Sequence, residues 1–384
     1  MATSAPEPAP RAGSGYLDAG SSEPLHAAAR EVLMTALELG YADPLRLHSP
    51  ARQARLLLDN ARAATAECLQ VREDEVSFTS SGSDAVHRGL LGLARGRERL
   101  SRRLVHSAVE HSAVFSAARW WQQYADGVVE VLPVDHRGRV DLDDVALREP
   151  GGALAVQLAN PEVGTVQPLT EVVARSGGTP VFVDACAAAG RLPLPNGWSA
   201  AALSAHKWGG PAGVGVLLVR KGARWRSPFP TDDRVDPRVA GFENVPAVLA
   251  AAAALQARIA ERDDLNARDE RFAEQVRSTL VGVPDVEVHG DPDRRLPHLV
   301  SFSCLYVDGE ALVGELDRRG LAVASGSACT ASALEPSHVL VAMGALTHGN
   351  VRVTFSRGTT AGDVDALCAA LPDVVGELRA RTAG

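Results

Sequence analysis

One lysine in this chain stands out by position. The sequence holds 39 Lys plus Arg, and only two of them, Lys207 and Lys221, are lysines. Lys207 lies in Ser204-Ala205-His206-Lys207-Trp208-Gly209-Gly210, after a short apolar run and before a Gly-rich turn. An amine at such a strand end, partly withdrawn from water, can form a Schiff base with a carbonyl-bearing cofactor. Asp184 closes the earlier run Val181-Phe182-Val183-Asp184. A pyridine cofactor requires such a carboxylate, because it keeps the ring nitrogen protonated and electron-withdrawing. Ser80-Ser81-Gly82-Ser83 joins another apolar run to a helical stretch, and the free N–H groups of a helix start bind phosphate. His111, in Val109-Glu110-His111-Ser112, stands at a second helix start, where its flat ring can stack on another. Each of these residues alone has a plain use as a cap or loop residue; their order as a set points to the cofactor. No P-loop, His-Glu-x-x-His or dinucleotide fingerprint competes, and no metal site is expected.

These residues need elements to hold them. Apolar runs at Val76–Thr79, Leu104–His106, Val128–Val134, Ala153–Leu158, Val181–Asp184, Ala201–Ser204 and Val214–Val219 predict seven strands. Several are near-continuously apolar, as strands covered on both faces are. Helical segments such as Ser83–Arg95 and Val109–Tyr124 lie between them, so the pattern predicts an α/β domain with a mostly parallel sheet. Ligands of such sheets bind at the carboxyl ends of the strands. Ser80–Ser83, Asn160, Asp184 and His206-Lys207 all fall there. An Ala-rich helix from about Pro246 to Arg262 leads into a smaller α+β region. That region comprises strands at Leu299–Phe302, Leu321–Ala324 and Val351–Phe355 and helices at Gly309–Arg319 and Ala361–Arg379. The expected division is a disordered start over residues 1–15, a large domain over 16–255 and a small C-terminal domain over 256–384.

Composition narrows the class. The net charge of −8 argues against nucleic acid as a direct partner, since phosphate neutralisation needs clustered cations. Five widely spaced cysteines without a Cys-x-x-Cys pair fit a reducing compartment. Residues 1–15 lack the apolar core of a signal peptide, and no apolar run reaches the ~20 residues of a membrane span. The expectation is a soluble cytoplasmic protein.

In this order the residues resemble the fold-type I enzymes that use pyridoxal 5′-phosphate, and more narrowly the cysteine desulfurase family of the class V aminotransferase type. The most specific stretch is Ser325-Gly326-Ser327-Ala328-Cys329-Thr330 with Leu334-Glu335-Pro336-Ser337, which is similar to the family's catalytic-cysteine loop. Tyr16-Leu17-Asp18, Leu47-His48-Ser49, Glu162-Val163-Gly164-Thr165-Val166-Gln167 and Val351-Arg352-Val353 also match. The resemblance implies that Lys207 holds the cofactor and shuttles the substrate Cα proton. Asp184 would pair with the ring nitrogen, His111 would stack on the ring, and Gly82, Ser83, Ser204 and His206 would hold the phosphate. Arg352 and Asn160 would bind the substrate, the former through the carboxylate. Cys329 would attack the sulfur of L-cysteine, leaving a persulfide for an acceptor protein and releasing alanine; a small-residue loop suits that movement. The other four cysteines read as buried and inert. A homodimer is implied as well.

The chain also departs from the family pattern. Pro161 stands where the family has Asn, and Ala187 where it has a Gln that contacts the cofactor's phenolic oxygen. Val239 and Phe242 replace an Arg and a Thr, the latter reaching the partner subunit's phosphate. A desulfurase with a rewired pocket is favoured because Lys207 and Cys329 are both retained. A related lyase acting on selenocysteine or another C–S bond, and a catalytically silent binding partner, stay open.

Overall fold

The computed structural model describes residues 15–147, 149–230, 236–325 and 336–382. Cys329 lies outside the described residues. All seven expected strands form: β1 (Val76–Thr79), β2 (Arg103–Ser107), β3 (Val128–Leu132), β4 (Ala153–Ala155), β5 (Val181–Asp184), β6 (Ala200–Ser204) and β7 (Gly215–Val219). They make one sheet in the order β1-β7-β6-β5-β4-β2-β3. From β6 to β3 the strands run parallel, and β7 is antiparallel to both its neighbours.

Strand side chains alternate between two faces, and here both faces are dry. Phe182, Ala200 and Ala202 enter one core, while Val181, Val183, Ala201 and Leu203 enter the other. Helices α1 (Ala27–Leu39), α2 (Ser49–Leu69), α5 (Leu142–Leu147), α6 (Leu169–Arg175) and α7 (Val245–Ala260) cover the second core, and α3 (Gly82–Gly96) and α4 (Ser112–Tyr124) cover the first. Alanine is a poor strand former, yet β6 contains Ala200, Ala201 and Ala202. Small residues under α3 let that helix lie close to the sheet: a Cβ on Gly89 would come within 2.5 Å of the Phe182 ring. The same approach brings the start of α3 onto the end of β6.

A second sheet, antiparallel throughout, has the order β10 (Ala324–Ser325), β11 (Asn350–Thr354), β9 (Leu299–Cys304), β8 (Val286–Val288). It packs with α8 (Arg262–Val281), α9 (Gly309–Arg318) and α11 (Ala361–Thr382) around Phe302, Phe355, Leu312 and Leu371. The expected strand over Leu321–Ala324 is reduced to β10 and a bridge from Ala322 to Tyr16. Leu17 joins this smaller core, its N–H donating to Ala322 O and its carbonyl accepting from Thr354 N–H. The short α10 (His338–Met343) packs against Val109 and Val163. Among the described residues no helix is long and apolar enough to cross a membrane.

Candidate active site

The carboxyl ends of the parallel strands converge on a cavity of ≈ 300 Å³. Gly82, Ser83, His111, Asp184, Ser204, His206, Lys207 and Arg352, expected separately from sequence, line it together.

Asp184 ends β5, nearly buried, with Oδ1 accepting the Cys186 N–H at 2.9 Å. That turn fixes the carboxylate, which also meets the Cys186 thiol. Lys207 follows β6 through a 3₁₀ turn, Ala205–Lys207. The turn is anchored on both sides: Trp208 is buried and donates its indole N–H to Ala251 O, while Gly209 O accepts His26 N–H. The Lys207 ammonium reaches the carbonyls of Gly20 and Ser21 at 2.6 and 3.0 Å. His206 stands beside it with Nδ1 3.1 Å from Ser204 Oγ. Burial, aided by the Lys207 charge, pushes the His206 pKa down to about 4, so this ring orients neighbours without carrying charge at neutral pH.

The start of α3 forms a cradle. Ser81 is its N-cap, with Oγ accepting Asp84 N–H at 3.1 Å, and the amides of Gly82 and Ser83 have no intrahelical acceptor. A Cβ at Gly82 would lie 2.7 Å from the Ser204 Cβ and 3.0 Å from Cys186 Sγ, so only glycine fits. Helix α4 begins at Ser112, later than the sequence pattern suggests, because His111 itself is the N-cap. Its Nδ1 accepts Ala113 N–H at 3.1 Å, which leaves the ring proton on Nε2.

Arg352 enters from β11. It is nearly buried, and its guanidinium donates to Pro161 O (3.0 Å), Asp18 Oδ1 (2.8 Å) and Ser21 Oγ (2.7 Å). Its Nε remains buried with no partner.

Asn160 is the described candidate that does not reach the cavity. Its Oδ1 accepts the N–H groups of Glu162 and Val163, both at 2.8 Å, and its Nδ2 donates to Val109 O. The reason is strand length. β4 stops at Ala155, earlier than the apolar run through Leu158 implies, so the end position falls to Gln157, which does line the cavity. Sequence reasoning missed Gln157, Ser21 and Cys186. Ser21 had no signal in the sequence, since it arrives on a segment pinned by residues more than three hundred positions away. Of the departures from the family pattern, Pro161 and Ala187 line the cavity and Val239 and Phe242 do not.

Two carboxyl groups lie behind the site. Glu110 is fully buried, and burial pushes its pKa up to about 8; its Oε1 accepts from Ser107 and from Gln157 N–H, while Oε2 has no partner. Burial likewise raises Glu162 to about 7. The four described thiols are unpaired and all shifted upward by burial: Cys68 and Cys304 to about 11, Cys368 above its ordinary value and Cys186 well above it. None of them is a thiolate at neutral pH.

A parallel sheet with one reversed strand next to its edge, and a strand-end lysine, a strand-end carboxylate and an open helix start lining one cavity, defines a class of amine-handling enzymes on a doubly wound scaffold. The sequence model of the aminotransferase class-V family matches residues 15–367, and the chain belongs to that family. It is 32% identical over 378 residues to cysteine desulfurase IscS of Dictyoglomus turgidum (95% of each chain). It is 34% identical over 378 residues to the putative cysteine desulfurase IscS 1 of Bacillus subtilis (94% of this chain, 99% of the relative). A solved NifS-like protein superposes with a TM-score of 0.87 at 25% identity, covering 95% of this chain and all of that one. Class-V aminotransferases and cysteine desulfurases generally depend on pyridoxal phosphate. The residues present fit that group: the Gly82 cradle suits its phosphate, the Asp184 carboxylate its ring nitrogen, and Lys207 its aldehyde.

Proposed function

We propose that this protein is a pyridoxal-phosphate-dependent cysteine desulfurase that converts L-cysteine to L-alanine and hands the sulfur, through Cys329, to an acceptor protein. The observation that carries the reading is the gathering of Lys207, Asp184, the Gly82–Ser83 cradle and Arg352 on one cavity. When bound, pyridoxal phosphate supplies an electron-withdrawing ring conjugated to the substrate's Cα.

This chain's residues do the rest. The Gly82 and Ser83 amides, with Ser204 Oγ and neutral His206, hold the phosphate through oriented dipoles. Asp184 holds a proton at the ring nitrogen. Lys207 Nζ would hold the group by its aldehyde and move the substrate Cα proton. His111, locked as a helix cap, would stack its flat ring on the cofactor. Arg352 Nε, buried and unpartnered, binds the substrate carboxylate. Cys329 Sγ attacks the substrate sulfur: an S–S bond forms as the C–S bond breaks, and the electron pair left on carbon takes a proton, giving alanine. The raised pKa values of the other four thiols support Cys329 in that role. Unpaired cysteines suit a reducing, cytoplasmic setting. The exposed apolar side chains of Met34, Leu37, Leu39, Tyr41, Leu45 and Leu47 suit a second copy of the chain, making a homodimer.

The test is spectroscopic and chemical. Purified protein should be yellow, and Lys207→Ala should lose the colour. Wild type should release alanine and, with a thiol reductant, sulfide from L-cysteine in equal amounts. Cys329→Ser should keep the colour while losing about a thousandfold in rate or more. Wild-type sulfide release by that variant overturns the persulfide step, and pyruvate with ammonia in place of alanine marks a lyase.

A further inference from the structure

Behind the wall made by Pro161 and Ala187 a small chamber adjoins Lys207, walled also by Gly20, Arg191 and His298. It encloses ≈ 10 Å³, about the room one water molecule needs. Arg191 and His298 are each only 2% exposed. Each carries a nitrogen without a partner, Nε of Arg191 and Nδ1 of His298, and burying such groups unpaired is costly. The remaining Arg191 contacts are made: Nη1 donates to Lys207 O and Nη2 to Glu23 Oε2. The side chains of Pro161 and Ala187 offer no hydrogen bond, so the polar demands of the chamber fall on the histidine and the arginine.

The charges around His298 decide its form. It is faced by Arg191 from the turn after β5, Arg258 from α7, Arg352 from β11 and Lys207 from the turn after β6. Glu23 and Asp269 balance Arg191 and Arg258. Burial first, and then these cations, hold the imidazole neutral to well below its ordinary range. A neutral ring keeps one acceptor nitrogen. A single water can therefore accept the Arg191 Nε–H, donate to His298 and meet the Lys207 amine with its remaining capacity.

We propose that His298 is a positioning residue for the Lys207 amine, acting through one water held between it and Arg191. The proposal rests on the reading of Lys207 as the cofactor-bearing amine. Its effect is to stabilise the ammonium form of Lys207, because hydrogen bonds to acceptors favour the charged state. Asp184, Cys186, His206, His111 from the start of α4 and Arg352 from β11, which share the main cavity with Lys207, are the other titratable and charged groups that set the amine's environment.

Because the chain has only two lysines, trace acetylation with acetic anhydride followed by mass spectrometry reads both at once. Exposed Lys221 serves as the internal reference. The full chain, stripped of cofactor, is labelled from about pH 6 to about pH 11. In His298→Leu the half-reactivity pH of Lys207 should fall by about half a unit or more, with Lys221 unmoved. Ala187→Val, which fills the chamber and leaves His298 in place, should give the same fall, and His298→Gln, whose amide can still accept from water, should restore the wild-type curve. In the reconstituted holoenzyme, the pH at which the visible band changes should move in the same two variants. A Lys207 curve superimposed on wild type in either folded variant overturns the proposal; if His298→Leu does not fold, Ala187→Val decides it. Wild-type protein that takes up no pyridoxal phosphate would overturn the functional reading instead, a result the acetylation curves do not share.

Discussion

The cavity has two walls, and they are built differently. One is made from backbone ends: β5 delivers Asp184, β6 and its turn deliver Ser204, His206 and Lys207, and the start of α3 delivers Gly82 and Ser83. Neighbouring strands fix the spacing of these groups, and α3 is seated on the sheet by close packing of Gly82 on β6 and of Gly89 on β5 and β7. The other wall is tied by side chains that reach across the molecule. Arg352 leaves the smaller sheet to meet Asp18 and Ser21, and the Lys207 ammonium takes the Gly20 and Ser21 carbonyls. The difference teaches where precision and adaptability lie. The first wall suits a resident group held in one pose; the second suits a substrate that must enter, be gripped and leave.

That contrast can be broken by substitution. Asp184→Asn, on the backbone-built wall, should cut turnover roughly a hundredfold or more and change the visible spectrum, with little effect on KM for cysteine. A change confined to KM would erase the distinction between the walls. Arg352→Lys, on the wall tied by side chains, should raise KM roughly tenfold to a hundredfold with a smaller loss in kcat, since one ammonium cannot reproduce the contacts to Pro161, Asp18 and Ser21 together with a carboxylate. Steady-state kinetics on both variants reads the split directly.

The smallest effect concerns stability. Glu110 ties the end of β2 to Gln157 beyond β4, and its carboxyl stays protonated up to about pH 8. Above its ordinary value of about 4.5 the unfolded chain gives up this proton while the folded chain keeps it. Glu110 therefore lowers stability progressively as pH rises to about 8, after which the loss is complete. Glu110→Gln removes this proton and should shrink the fall in Tm between about pH 5 and about pH 8 by roughly two degrees or more. An unchanged Tm profile would mean that the carboxyl ionises freely in the fold.

Most of the backbone-built wall was legible in the sequence. Strand ends are marked by the last residue of an apolar run, and Val181–Asp184 and the run ending at Ser204 stop where the strands stop. The rule misled at β4. There the apolar run continues past Ala155 because Val156 and Leu158 are buried in irregular chain, so Asn160 took the place that belongs to Gln157. The other wall was legible only in part. Arg352 stood out through its resemblance to a family motif, but nothing near it in sequence names Asp18 or Ser21. His298 gave no sign either, because a lone histidine before a strand acquires meaning only when Arg191 and Lys207 are folded against it.

The bond between Arg352 and Asp18 spans 334 residues. A chain leaving the ribosome can lay down the strand before Lys207 well before β11 exists, yet the grip proposed for an amino-acid carboxylate is finished only when this last strand among the described residues arrives to meet one of the first segments made. Half-translated protein would thus hold the amine before the seat proposed for the substrate carboxylate is built.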